Sequence, residues 1–492
     1  MSMMSLDRIR ESLPDFGFND YIRYLKMVEE HSGAARPLRV AVLRSYTVEP
    51  IEPVLSLRLL LEGRRPTIWF GGYNQYVQEV LDQNSGLYGF RPDLVLMMLR
   101  LEEVVPDFVE QFPAVDAAAW EERLTMRARE LASLAAQIAS RCSAQVIIQN
   151  ASLTHPYYGA FDTQRPAGQQ QLVQTFNRAL SAAAAEIRGA FVWDFDRFTR
   201  THGLSNLSDP KAWYVSRNPF KQTAYPAIVD DLMRYVRSAL GQVKKCIVVD
   251  LDNTLWGGVA GEDGFEGVQI GHSYPGNCYR DLQKELLRLY HRGILLAINS
   301  KNNPDDALHI IDDHPDMVLR RHHFAAVRIN WQDKATNLRE LADELNIGID
   351  SLIFLDDNPA ECELVRRECP DCDVVRLPER PYLLPGVIAR LAGVDNLRLT
   401  DEDRMKGEMY RAQAARREHE DRHSNMDDFL RSLEMEVEIE AATPYSIPRI
   451  AQLTQKTNQW NMTTRRYSDA QIQSFASDPG RVVLSIASRD RF

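Results

Sequence analysis

The stretch CIVVDLDNT (residues 246–254) delivers two carboxylates, Asp250 and Asp252, directly after an apolar run. Spaced by two, they leave the C-terminal edge of a strand together, and in open parallel sheets that edge is where ligands sit. Such a pair suits phosphoryl transfer, with Asp250 attacking phosphorus as a carboxylate and Asp252 giving and taking the proton. Like charges this close require a cation, and hard oxygen ligands suit Mg²⁺.

Further pieces follow in chain order. Ser300 closes the apolar run ILLAIN, where its hydroxyl and the following N–H groups can hold phosphoryl oxygens. Lys334, in NWQDKATN, opens a helical pattern and can offset charge in the transition state. Asp356 and Asp357 end the run SLIFL and complete a metal site. Each piece has a plain reading by itself, because Asp-x-Asp is common in turns and Asp-Asp-Asn-Pro is a good helix entry. At successive strand ends and in this order, they read as one site.

In this set the chain resembles the haloacid-dehalogenase-like phosphotransferases. The stretches DLDNTLWGGVAGEDGFEGVQIG, LQKELLRLYHRGILLAINSKNN and INWQDKATNLRELADELNIGIDSLIFLDDNPAECELVR narrow the resemblance to the FkbH-like family. That resemblance implies a Mg²⁺-dependent glyceryl transferase/phosphatase of polyketide biosynthesis. Such an enzyme takes 1,3-bisphosphoglycerate, removes phosphate and loads a glyceryl unit onto the phosphopantetheine thiol of an acyl carrier protein. It also implies substrate contacts at Thr254, Ser300, Lys301, Asn302 and Lys334, and metal contacts at Asp250, Asp252, Asp356 and Asp357. Two alternatives stay open: a phosphatase without acyl transfer, and a docking scaffold with a degenerate site. The short stretch from Ser300 to Lys334 and the Gly-rich insert Trp256–Gly271 leave no room for a large cap, so a protein-borne arm can reach the site.

An enzyme thiol could relay the acyl group, and Cys362 is the best placed candidate. It falls in the first turn of a helix opened by Asn358-Pro359, and a helix N-terminus favours thiolate, although Glu361 and Glu363 oppose this. Cys278 is a second candidate and Cys246 reads as core. Cys369-Pro-Asp-Cys372 has a C-x-x-C spacing, but without a second pair or a nearby His it is a weak zinc or redox signal.

Strands must position these residues. Apolar runs ending at 249, 300, 330, 356 and 377 alternate with helical patterns such as YRDLQKELLRLYHRG and KATNLRELADELNIG, which predicts a parallel sheet covered on both faces. An earlier series (LRVAVLR, TIWF, DLVLMML, AQVIIQN, GAFVWDF) predicts another. The fold class is therefore α/β, with two three-layer domains. The predicted boundaries are a helical lead-in at 1–36, an α/β domain at 37–240, the near-capless catalytic domain at 243–395, a charged helical linker at 396–440 and a C-terminal segment at 441–492.

The first domain, with Ser45, Gly71-Gly72 and Arg100 after its strands, weakly resembles SGNH hydrolases, which are flavodoxin-like in layout. A serine esterase needs a late Asp-x-x-His. Here Asp209 has no such partner and neither His155 nor His202 fits, so Ser45 reads as vestigial or ligand-positioning. The tail resembles the start of an acetyltransferase-like α+β part but holds no Gly-rich turn for coenzyme A. Its Asn458, Trp460 and Arg465-Arg466 could dock a carrier protein.

Composition bounds all of this. The 492 residues carry 58 Lys+Arg against 69 Asp+Glu, a net charge of −11 that makes general nucleic-acid binding a poor expectation. There is no long apolar run for a membrane span and no signal-peptide core, and six cysteines suit a reducing compartment, so the expected location is cytoplasmic. Carrier proteins are usually acidic, so an acidic enzyme needs a local basic landing site, and Arg320-Arg321-His322-His323 and Arg465-Arg466 are the candidates.

Overall fold

A computed structural model describes residues 9–10, 12–13, 16–31, 35–112, 115–153, 159–165, 167–398, 431–456, 467 and 469–490. His155, Asn458, Trp460, Arg465, Arg466 and most of the expected linker lie outside the described residues. The chain divides into two compact units, Met1–Lys244 with Arg390–Leu399 and Lys245–Ala389 with Thr400–Phe492.

In the first unit, strands β1 (Arg36–Arg44), β2 (Arg64–Phe70), β3 (Leu94–Met98), β4 (Gln145–Gln149) and β5 (Ala190–Trp193) form a parallel sheet ordered β2-β1-β3-β4-β5. Side chains alternate across it. Val40, Val42, Leu94, Leu96 and Met98 join one core with helices α1 (Phe18–His31), α2 (Ile51–Leu61) and, C-terminal to β5, Tyr225–Ala239. Ala41, Leu43, Val95 and Met97 join another with α3 (Ala117–Cys142) and α4 (Gln169–Ala185). The pattern is legible in α3, which buries Trp120, Leu124, Ala128, Leu131, Ala135 and Ile138 along one stripe and is capped by Asp116 accepting from Ala118 N–H. We number Tyr225–Ala239 as α5.

The second unit holds β6 (Cys246–Val249), β7 (Leu295–Ser300), β8 (Phe324–Ile329), β9 (Leu352–Asp356) and β10 (Asp373–Arg376), all parallel and ordered β8-β7-β6-β9-β10. In chain order this is 3-2-1-4-5, so the strand order reverses at β6 and its C-terminal end opens into the crevice of the switch point. The connecting helices are α6 (Ala260–Gly267), α7 (Gly276–His291), α8 (Pro304–Asp313), α9 (Lys334–Glu344) and α10 (Pro359–Glu368). One face of the sheet, with Cys246, Val248, Ala297 and Phe354, packs against Leu338, Leu341 and Val365 of α9 and α10.

At the C-terminal end, β11 (Glu436–Ala441) pairs antiparallel with β12 (Leu484–Arg489), beside α11 (Ile447–Lys456) and α12 (Asp469–Ala476), whose small core is Ile447, Ala451 and Ile472. β11 covers the end of the stretch expected as linker. Its sequence EVEIEA alternates with period two, but three glutamates give it the charge of a solvated segment. Residues 390–399 also differ from expectation: they pack with the first unit, through Lys244 N–H donating to Gly393 O (2.8 Å) and a two-pronged Arg234–Asp395 pair (2.9 and 3.0 Å).

Candidate active site

Asp250 follows β6 and is 7 % exposed, with its N–H on Leu355 O of β9. The loop after it turns back sharply. Asn253 takes φ 52° and its Oδ1 accepts from Gly258 N–H (3.0 Å). The two glycines of WGG are both required: a Cβ on Gly257 would stand 2.8 Å from Tyr279, and Gly258 has φ 91°. Asp252 is held from three sides, its Oδ1 by Trp256 Nε1–H and Ala260 N–H and its Oδ2 by Asn302 Nδ2–H, each at 3.0 Å. The first residue of the α6 flap is thereby fastened to the expected acid/base.

Lys334 starts α9, which Asp333 caps by accepting from Thr336 N–H. Its ammonium is buried and lies 3.0 Å from Asp250 and 2.5 Å from Asp356. Burial pushes this lysine down, but the two carboxylates outweigh that and hold it above its ordinary value. Burial and the Asp250 charge raise Asp356 to about 6, against the pull of Lys334. The same two causes raise Asp357. Burial raises Asp252 too, opposed by its hydrogen bonds.

One carboxylate oxygen from each of Asp250, Asp356 and Asp357 lies within 4.8 Å of the others. Asp250 Oδ1 is sealed from solvent, with the Lys334 ammonium 3.0 Å away and no other polar partner among the described residues. A hard cation that takes oxygen ligands fits this set. Asp252, expected among the ligands, is not one of this group; its oxygens take hydrogen bonds from Trp256, Ala260 and Asn302. Ser300 ends β7 and is buried, Asn302 is buried on Asp252, and Lys301 pairs with Glu361. Thr254 is fully buried, and its hydroxyl has no hydrogen-bond partner among the described residues.

The thiol expectations need correction. Cys362 does lie in the first turn of α10, but its side chain is fully buried, its Sγ points at Asp356 O (3.6 Å), and burial together with Asp356 pushes it up to about 11. Desolvation and a neighbouring carboxylate override the helix N-terminus. Cys278 is partly exposed, and burial and Asp281 raise it as well. Cys246 is core, as expected. Cys369 and Cys372 are buried with their thiols on different carbonyls, those of Ala335 and Leu352.

Ser45 is fully buried after β1, its Oγ accepting from Arg100 N–H (2.9 Å), and the neighbouring Tyr46 hydroxyl donates to Gln149 (2.8 Å). His202 lies on Phe198 O. The basic run at 320–323 is largely spent on the end of α8: Arg320 donates to Ile311 O and Asp312 O, and Arg321 pairs with Asp312.

Three residues that position the site were given no role from the sequence: Asn299 and Asn337 lay in a strand and a helix pattern, and Trp256 in the Gly-rich insert. Asn299 donates to Lys334 O (2.9 Å) and accepts from Asn337 (3.0 Å), and Trp256 orients Asp252. Trp256 stood in the family-specific DNTLWGG, which was the available signal. The asparagines are ordinary in an apolar strand and a helix until the fold brings them together.

No protein-family model and no curated protein matches the chain. Among solved structures it is similar to the N-terminal part of the protein BF1531 from Bacteroides fragilis, which contains a phosphatase domain and is complexed with Mg. Identity is 25 % and the TM-score 0.69, over 78 % of this chain and 100 % of that one. Looser likenesses are LAE5, an α/β hydrolase from the metagenome of Lake Arreo (14 % identity, TM-score 0.27, 42 % and 97 % covered), and a GDSL-like lipase from Parabacteroides merdae (11 %, 0.27, 43 % and 98 %). Superpositions that loose assign nothing to the first unit. In the second unit, fold, motif order and the likeness to BF1531 are together of the haloacid-dehalogenase-like phosphatase type. Among the described residues no helix is long and apolar enough to cross a membrane.

Proposed function

We propose that the chain is a Mg²⁺-dependent phosphohydrolase whose substrate is 1,3-bisphosphoglycerate and whose glyceryl product passes to an acyl carrier protein. The observation that carries the phosphatase reading is the convergence of Asp250, Asp356, Asp357 and Lys334 at the strand ends of one sheet. Asp250, Asp356 and Asp357 would hold the ion, which when bound supplies positive charge against the phosphoryl oxygens. Asp250 forms the bond to phosphorus as the ester oxygen leaves with a proton from Asp252. Water then attacks the aspartyl phosphate, Asp252 takes its proton back, and orthophosphate departs. Lys334, 3.0 Å away, holds Asp250 in place.

Because Cys362 is sealed, the acyl step needs no enzyme thiol in this reading. The carrier's own thiol attacks the C1 carbonyl of the acyl phosphate, the carbon–oxygen bond breaks and phosphate leaves. The same sealed cysteine favours a second reading, hydrolysis without transfer. Incubation with bisphosphoglycerate and holo carrier protein, followed by intact-mass measurement, separates them. A glyceryl adduct that forms in wild type and in Cys362→Ala supports transfer, and phosphate release with an unmodified carrier supports hydrolysis alone. Asp250→Asn should abolish release of the ester phosphate; hydrolysis that survives it sinks the phosphatase reading.

A further inference from the structure

Lys301 and Glu361 form an ion pair at 2.6 Å that the phosphoryl chemistry does not use. Lys301 follows Ser300 out of β7, and Glu361 sits in the first turn of α10, just after Asp356 and Asp357 leave β9. Since β6 runs between β7 and β9, the pair joins the loops on either side of the strand that carries Asp250.

Exposure separates Lys301 from its neighbours. Ser300 is 1 % and Asn302 3 % exposed, whereas the Lys301 side chain keeps 33 %. Lys334 is buried and already committed to Asp250 and Asp356. The Glu361 side chain is 16 % exposed, and its Oε2 is sealed from solvent without a hydrogen-bond partner. Its other oxygen, Oε1, takes the Lys301 ammonium, so the pair ties the two side chains together. Glu361 therefore fixes an ammonium that its flexible stem would otherwise let wander. One of the three ammonium donors is spent on Glu361, and two remain. The site gathers the carboxylates of Asp250, Asp252, Asp356 and Asp357, so a second anion on a substrate is repelled there unless a cation meets it.

We infer that Lys301 is the specificity residue for a second anionic group, a carboxylate or a phosphate, on the phosphorylated substrate, and that Glu361 is its positioning residue. This rests on the phosphatase reading above. The test uses the full chain with Mg²⁺ and three phosphate esters: glycerol 3-phosphate with an uncharged tail, 3-phosphoglycerate with a carboxylate, and propane-1,3-diol bisphosphate with a second phosphate. Wild type should favour at least one charged ester over glycerol phosphate by about tenfold or more in kcat/KM, the scale of a hydrogen bond to a charged group. Which ester is favoured identifies the anion.

Lys301→Met should collapse that ratio toward one, through KM rather than kcat, and Lys301→Arg should recover part of it. Glu361→Gln should act in the same direction and add nothing to Lys301→Met in the double variant. A wild type without preference, or a Lys301→Met that lowers all three esters equally, overturns the inference while leaving the phosphatase reading standing. Failure to hydrolyse any of the three or bisphosphoglycerate with Mg²⁺ overturns both.

Discussion

Burial decides the chemistry of single residues here more than position along a helix does. Cys362 has the helix-start setting that favours a thiolate, yet with its thiol raised to about 11 only about one part in a thousand is ionised at pH 8. Native protein treated with iodoacetamide at pH 8 should therefore be alkylated at Cys278 and spared at Cys362; peptide mapping that finds Cys362 modified first would reverse this assignment. Asp356 shows the same physics in a carboxyl group. Its folded value is raised to about 6, so below that pH the metal-free site keeps a proton that an incoming cation must displace. The affinity for Mg²⁺ should be constant well above pH 6 and about tenfold weaker at pH 5, measured by calorimetric titration. Equal affinity at pH 7.5 and 5 would show that binding displaces no proton from Asp356 in this range. The sequence showed Asp250, Lys334, Asp356 and Asp357 because their types and order are unusual. It could not show that Asp252 is fully engaged or that Cys362 is sealed, because both depend on what packs around them.

The elements that carry these residues are fastened to one another by buried amides. Asn337, fully buried in α9, donates to Asn299 of β7 and to Asn330, and Asn299 in turn holds Lys334 O. Removing one member leaves buried partners unsatisfied, so Asn337→Ala should lower the stability of its unit by about 1–3 kcal/mol in denaturant unfolding. Because the same link sets the start of α9, kcat should fall more than KM rises. A variant with unchanged stability and kcat would show that α9 is placed by its apolar face alone. All ten strands of the two parallel sheets were legible as apolar runs. The inner ones, β3, β6, β7 and β9, are buried on both faces and read as continuous hydrophobic stretches. The edge strands β2 and β10 are only partly buried and showed through their β-branched and aromatic residues. β11 was not, because a strand with one exposed glutamate at every second position resembles a charged linker until its partner 484–489 is found.

For the molecule as a whole, net charge and length bounded the possibilities without choosing among them, and the separation into units is what makes the metal site testable. The cores on the two faces of the first sheet share no residue with the core that backs β6 and β9. Ion binding at Asp250, Asp356 and Asp357 stabilises only the state in which those strand ends are assembled. At an ion concentration of about 100 times Kd this contributes roughly 2.7 kcal/mol, or a rise in melting temperature of about 5–10 °C for a unit of this size. Calorimetric melting with and without Mg²⁺ should therefore move the transition of the second unit and leave that of the first in place. Asp356→Asn should abolish the shift without altering the transition that does not respond. If both transitions rise together, or if Asp356→Asn still responds to Mg²⁺, the ion binds somewhere other than this carboxylate cluster.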